Sequence, residues 1–117
     1  MPNVTGIDPR DLDEMLGSPA QVILLDVRNP DERAYAAIDG ARAVVDLFIP
    51  IGELMERVGE LDSALRENAF VVVYCHHGMR SLVAANWLAE RGVVNVLNLN
   101  GGIDAWSADV DSAVPRY

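Results

Sequence analysis

The sequence has no lysine, a single cysteine, only two histidines, and no apolar run approaching the length of a membrane span. Each shortage excludes something. One cysteine cannot close an internal disulfide, which fits a reducing compartment. Without lysine, nine arginines carry the positive side-chain charge beside the histidines. They are scattered, which reads as genome composition bias rather than as a basic patch. Net charge is −9, which disfavours nucleic acid and anionic membrane surfaces as partners. An anionic substrate would therefore need a local positive site. The opening "MPNVTGIDPRDLDEML" is charged and has no apolar h-region, so no secretory signal is read there and a cytoplasmic location is the default expectation. There is no internal repeat, low-complexity tract or long linker. A length of 117 residues suffices for one domain, expected over 1–117.

What is present is an alternation of strand-like and helix-like segments. Strands are expected over 3–7 (NVTGI), 21–27 (QVILLDV), 41–45 (ARAVV), 70–74 (FVVVY) and 94–99 (VNVLNL). The runs at 21–27 and 70–74 are continuously apolar, as in strands buried on both faces. Helices are expected over 8–16, with Asp8 as N-cap and Pro9 at the first helical position, and over 29–37, where Asn29 caps and Glu32 can close a capping box. A third covers 51–67, with Leu54, Val58, Leu61 and Leu65 on one stripe. A fourth covers 80–92 and stops at Gly92. A turn and last short helix fill 101–110. Such alternation argues for an α/β domain with a mostly parallel sheet and helices on both faces.

The chemistry gathers in "YCHHGMRS", residues 74–81. Cys75 follows the Val71–Tyr74 run, and ligands of open α/β sheets bind at the carboxyl ends of strands. His76 to Met79 make a loop before the helix. Backbone N–H groups of that loop and of the helix's first turn form an anion cradle. Gly78 permits a tight or left-handed backbone there, and Arg80 adds a planar cation suited to an oxyanion. All of these favour a thiolate; a helix terminus alone contributes about 0.3–1 kcal/mol, and about 2 when partly buried. A lone cysteine after a valine run reads by default as a small buried hydrophobe. The loop, Gly78, Arg80 and the helix start argue instead for a reactive thiolate. His76 and His77 lack Cys, Asp or Glu at ligand spacing and make a poor metal site. They line the loop rim, tuning charge or touching substrate, or are simply solvated.

These residues resemble the rhodanese family of sulfurtransferases. "YCHHGMRS" resembles its active-site loop, a cysteine and an arginine separated by four residues. "LNLNGGIDAW" resembles the segment after the next strand, and "ILLDVRNPDERAYAAIDGA" the first family box. "IPIGEL" and "VPRY" are similar to single-domain bacterial members. The resemblance covers nearly the whole chain. It implies a rhodanese-like three-layer α/β/α domain with a mostly parallel five-stranded sheet. It implies a Cys75 thiolate that takes sulfane sulfur from thiosulfate or another small anionic donor. The persulfide would be held by the amides of 76–80 and passed to cyanide, a thiol or a partner protein. His76, His77, Gly78, Met79 and Arg80 would bind substrate, and no cofactor or metal is implied. With no second cysteine, the acceptor must be external.

Two departures stand out against the family pattern. Ala36, Ala37 and Asp39 occupy places where members often carry Gly-His and Pro, a mainly structural segment. The path from Gly40 to Pro50 is several residues longer than usual, so that Leu47, Phe48 and Ile49 form either an added turn near the site mouth or, the preferred reading, extra core. Asp26 and Arg28 read as an ion pair holding the neighbouring loop, Trp87 and Trp106 as core, and Ser81 as a first-turn residue whose hydroxyl bonds within the loop. Three rivals remain. Phosphatases and arsenate reductases of related fold carry five residues between Cys and Arg, against four here. A dedicated persulfide carrier and an inert binding module are the others; the retained Cys75 counts against the module.

Overall fold

A computed structural model describes residues 4–117. Its elements follow the expected alternation: β1 (Thr5–Ile7), α1 (Pro9–Leu16), β2 (Val22–Asp26), α2 (Pro30–Tyr35), β3 (Val45–Phe48), a 3-10 turn (Ile51–Glu53), α3 (Leu54–Ala64), β4 (Phe70–Tyr74), α4 (Met79–Glu90), β5 (Val96–Leu99) and α5 (Gly102–Asp109). Asn3, the first residue of the expected first strand, lies outside the described residues. The strands form one sheet in the order β1-β5-β4-β2-β3. Every neighbouring pair is parallel, with Asp26 opposite Tyr74 and Val73 opposite Asn98.

The period-two side-chain alternation of a strand divides the core into two halves. Ile23 and Leu25 of β2, with Val71 and Val73 of β4, face α3 and α4 through Leu54, Val58, Leu61, Ala84, Ala85 and Leu88. Val22, Leu24, Val72 and Tyr74 face the other way, onto Leu12 and Leu16 of α1 and Ile103 and Trp106 of α5. The result is the three-layer α/β/α arrangement, and the two central strands are buried on both faces as their apolar runs require.

Three expectations need correction. The third strand lies at Val45–Phe48, not at 41–45. Residues 40–43 turn instead: Asp39 Oδ1 accepts the Ala41 N–H at 2.9 Å and the Gly40 carbonyl accepts the Ala43 N–H at 3.0 Å. Pairing with β2 starts only at the Val44 N–H, which donates to the Val22 carbonyl at 2.8 Å. Leu47 and Phe48 thus belong to an edge strand rather than an added turn; Ile49 is fully buried core and Leu47 packs against it partly covered, while Phe48 is half-buried with Arg33 over its ring. The helix expected over 51–67 opens with the 3-10 turn and ends at Ala64, because Leu65 is extended at ψ 138°. Finally, Asp8 sits at the N-cap of α1, but its carboxylate accepts from Asn100 Nδ2 at 2.9 Å instead of capping.

Chain direction sets where a ligand can enter. β2 leads to the edge strand β3, whereas β4 leads back towards β5. The crevice between the carboxyl ends of β2 and β4 is the topological switch point of the sheet, where open α/β folds bind ligands.

Candidate active site

Cys75 is the residue that leaves β4, and it is 1% exposed. The backbone turns sharply behind it because Gly78 adopts φ 103°, a left-handed conformation that side-chain-bearing residues rarely take. That turn aims amides at the sulfur. The Gly78 N–H donates to Sγ at 3.1 Å and the Ser81 N–H at 3.3 Å. Sγ in turn lies 3.3 Å from Ser81 Oγ, as a donor to it. Gly78 is the N-cap of α4, so the positive end of the helix dipole meets the thiol.

The loop is held in this form from the β5 side. Asn98, a buried polar residue in an otherwise apolar strand, accepts the Ser81 hydroxyl proton at 2.6 Å and donates to the Gly78 carbonyl at 3.2 Å. The carbonyls of Cys75 and His76 accept the N–H groups of Ile103 and Asp104 at 2.9 and 3.1 Å, capping the first turn of α5. Gly102 packs so closely beneath that any Cβ there would collide with those two carbonyls.

From the β2 side the anchor is Arg80. Its fork grips Glu32 of α2, Nη1 to Oε1 at 2.7 Å and Nη2 to Oε2 at 3.0 Å. Glu32 also accepts the Tyr117 hydroxyl proton and the Asn29 N–H, the latter being its half of the capping box. The Arg80 hydrogen bonds, with those of Tyr117 and Asn29, lower the Glu32 pKa to about 2 against the opposing effect of burial. Reciprocally, Glu32 raises the pKa of Arg80. The pair engages two of the five guanidinium N–H groups.

His76 is half-buried, stacked between His77 and Tyr117 with both centroid separations at 3.9 Å. His77 is exposed, its Nδ1 3.9 Å from Asp104. The Met79 side chain, 74% exposed, stands on the rim. Beneath them, Arg28 and Asp26 make a fully buried bidentate pair, with Nε–Oδ1 at 2.8 Å and Nη2–Oδ2 at 2.7 Å. Arg28 also donates to the Ala36 carbonyl and to Tyr117 Oη. Burial works to lower the Arg28 pKa, but the bonds to Asp26 and Tyr117 prevail and raise it. The two residues are therefore structural, fastening the segment after β2, and Ser81 bonds within the loop as expected. Trp106 is buried core, while Trp87 packs against the core only partly covered.

Residue-type reasoning missed three contributors. Asn98 carried a signal, a lone amide in "VLNL". Glu32 was accounted for locally by its capping role, which conceals a partner 48 residues away. Tyr117 carried only the family likeness of "VPRY", which gave it no role.

This combination of a parallel five-stranded sheet and a cysteine loop at its switch point defines a class. The rhodanese-like domain family model matches residues 8–109, and the chain belongs to that family. It is 36% identical over 104 residues to a sulfurtransferase of Allochromatium vinosum, covering 89% of each chain. Its fold matches a rhodanese-related protein of Thermoplasma volcanium with TM-score 0.71 and 31% identity, over 91% of this chain and 93% of that one. It also matches a thiosulfate sulfurtransferase of Pseudomonas aeruginosa, TM-score 0.74 and 26% identity, over 90% of this chain but 19% of that one. Other curated relatives are longer, and the chain spans 25–34% of their length. Sulfur transfer is the activity class these relatives support. Among the described residues, no helix is long and apolar enough to cross a membrane.

Proposed function

We propose that the protein moves sulfane sulfur through a persulfide on Cys75. The carrying observation is the pair of N–H donors from Gly78 and Ser81 on a single sulfur at the start of α4. Hydrogen bonds to a charged acceptor are stronger than to a neutral one, so these two donors would hold a persulfide anion formed on Cys75.

With thiosulfate, the Cys75 thiolate attacks the outer sulfur. The Cys75 S–S bond forms, the sulfur–sulfonate bond breaks, and sulfite leaves with the electron pair. An external nucleophile then attacks the terminal sulfur: cyanide leaves as thiocyanate, a thiolate as a persulfide, and Cys75 returns as thiolate. The His76, His77, Gly78 and Met79 segment supplies the amide cradle and rim. Arg80 contributes its remaining N–H groups to the donor's oxyanion while Glu32 fixes its plane. The four-residue spacing between Cys75 and Arg80 favours this reading over phosphatase chemistry.

Intact mass after incubation with thiosulfate tests the proposal. The expected result is a gain of one sulfur atom, removed by dithiothreitol and absent in Cys75→Ser, which should fold normally because the substitution is nearly isosteric. No gain with any sulfane donor, or an equal gain in Cys75→Ser, would refute it.

A further inference from the structure

We propose that residues 114–117 form a strap across the mouth of the Cys75 loop, and that Tyr117 sets the size of the reagents that reach the sulfur. The tail is tied down on both sides of the loop. On the α5 side, the Val114 carbonyl accepts the hydroxyl proton of the buried Ser107. Arg116 grips Asp104 through Nε at 2.9 Å and Nη2 at 3.1 Å. On the α2 side, the Tyr117 hydroxyl accepts from Arg28 Nη1 at 2.8 Å and donates to Glu32 Oε2 at 2.8 Å. The Tyr117 ring also meets Tyr35 edge-on at 5.8 Å. Between these ties the same ring lies flat on His76, at 3.9 Å and 11°.

Topology turns these ties into a barrier. α5 follows β5 and α2 follows β2, and β4 lies between those two strands. A segment running from α5 to α2 therefore crosses the carboxyl end of β4, where Cys75 sits. The strap can be released without opening the core, because Tyr117 is 41% exposed and the Arg116–Asp104 pair is peripheral. Small anions and small thiols need only a local opening, whereas a bulky acceptor must displace Tyr117 from Glu32 and His76. The meaning of this selection for donors and acceptors rests on the sulfur-transfer reading above. The barrier itself is a property of the thiol and can be measured without sulfur chemistry.

The test compares alkylation of Cys75 by iodoacetamide and by a polyethylene-glycol maleimide, followed by intact mass, in wild type, Tyr117→Ala, Tyr117→Phe and Arg116→Ala. Tyr117→Ala should raise the rate with the bulky reagent about tenfold, as expected when a charge-assisted tie is lost, and the small reagent's rate much less. Tyr117→Phe keeps the ring on His76 and should give a smaller rise, and Arg116→Ala should also accelerate the bulky reagent. If Tyr117→Ala folds poorly by circular dichroism, the other two variants carry the test. Bulky-reagent rates within about twofold of wild type in every folded variant would overturn the strap, and equal acceleration of both reagents would overturn the size selection. A failed persulfide assay leaves either result standing, so the two readings fail separately.

Discussion

The Ser81 hydroxyl has one proton and two neighbours that compete for it. At rest it donates to Asn98 Oδ1 at 2.6 Å and accepts from the Cys75 thiol at 3.3 Å. Once the thiol is ionised, that contact persists only if the hydroxyl turns and donates to sulfur, leaving Asn98 to its bond with the Gly78 carbonyl. Ser81→Ala removes this third donor while keeping the Ser81 N–H on Sγ. Because a hydrogen bond to a charged group is worth about 1.5–3 kcal/mol, sulfur loading from thiosulfate should slow by about tenfold or more. The same change leaves Asn98 Oδ1 buried without a partner, costing about 1–3 kcal/mol in urea denaturation. An unchanged loading rate would remove the hydroxyl from the chemistry. At this scale the sequence announced Cys75, Gly78 and Arg80, because a thiol, a turn former and a cation at the end of an apolar run are each unusual there. It did not announce the roles of Glu32, whose capping pattern was already satisfied, or of Tyr117; the partners of both are distant along the chain.

Between elements, the Arg80–Glu32 pair fastens α4 to α2, and it has a definite acid signature. Glu32 has its pKa lowered from an ordinary value of 4.5 to about 2, chiefly by Arg80. On acidification the unfolded chain binds its proton first, so acid favours unfolding. The stabilisation is fully present above about pH 4.5 and is lost as pH falls towards 2. Arg80 is partly solvated, so solvent screening limits the contribution to on the order of 2 kcal/mol. Glu32→Gln should be less stable than wild type by about that amount at neutral pH, with the gap closing between about pH 4.5 and 2 in urea titrations. A gap that stays constant over that range would assign the loss to packing alone. The same scale explains which elements were legible. β2, β4 and α4 have long apolar or amphipathic runs set off by polar or turn-forming residues, so pattern sufficed. β3 did not, because residues 41–49 are largely apolar throughout and an edge strand with one half-buried face has little alternation to mark its register.

For the whole molecule, the absence of lysine and the net charge of −9 have a kinetic consequence. Among the described residues, seven of the nine arginines, Arg28, Arg33, Arg42, Arg57, Arg80, Arg91 and Arg116, are paired with carboxylates. Their positive potential is therefore largely cancelled near its source, and at a distance an approaching anion meets a negative protein. The amide cradle attracts over only the last few ångströms, since the helix-terminus field fades within a turn. Long-range repulsion should thus govern the encounter with a dianionic donor. Salt screens that repulsion, with a Debye length falling from about 30 Å at 0.01 M to about 8 Å at 0.15 M. The kcat/KM for thiosulfate should therefore rise severalfold over that range if encounter limits the rate, while alkylation of Cys75 by neutral iodoacetamide stays nearly flat. The informative comparison is the ratio of the two slopes, which removes any general effect of salt on the fold. A fall in kcat/KM with salt would mean that the Arg80 charge reaches past Glu32 and steers the donor, making the local site rather than the whole molecule the controlling field.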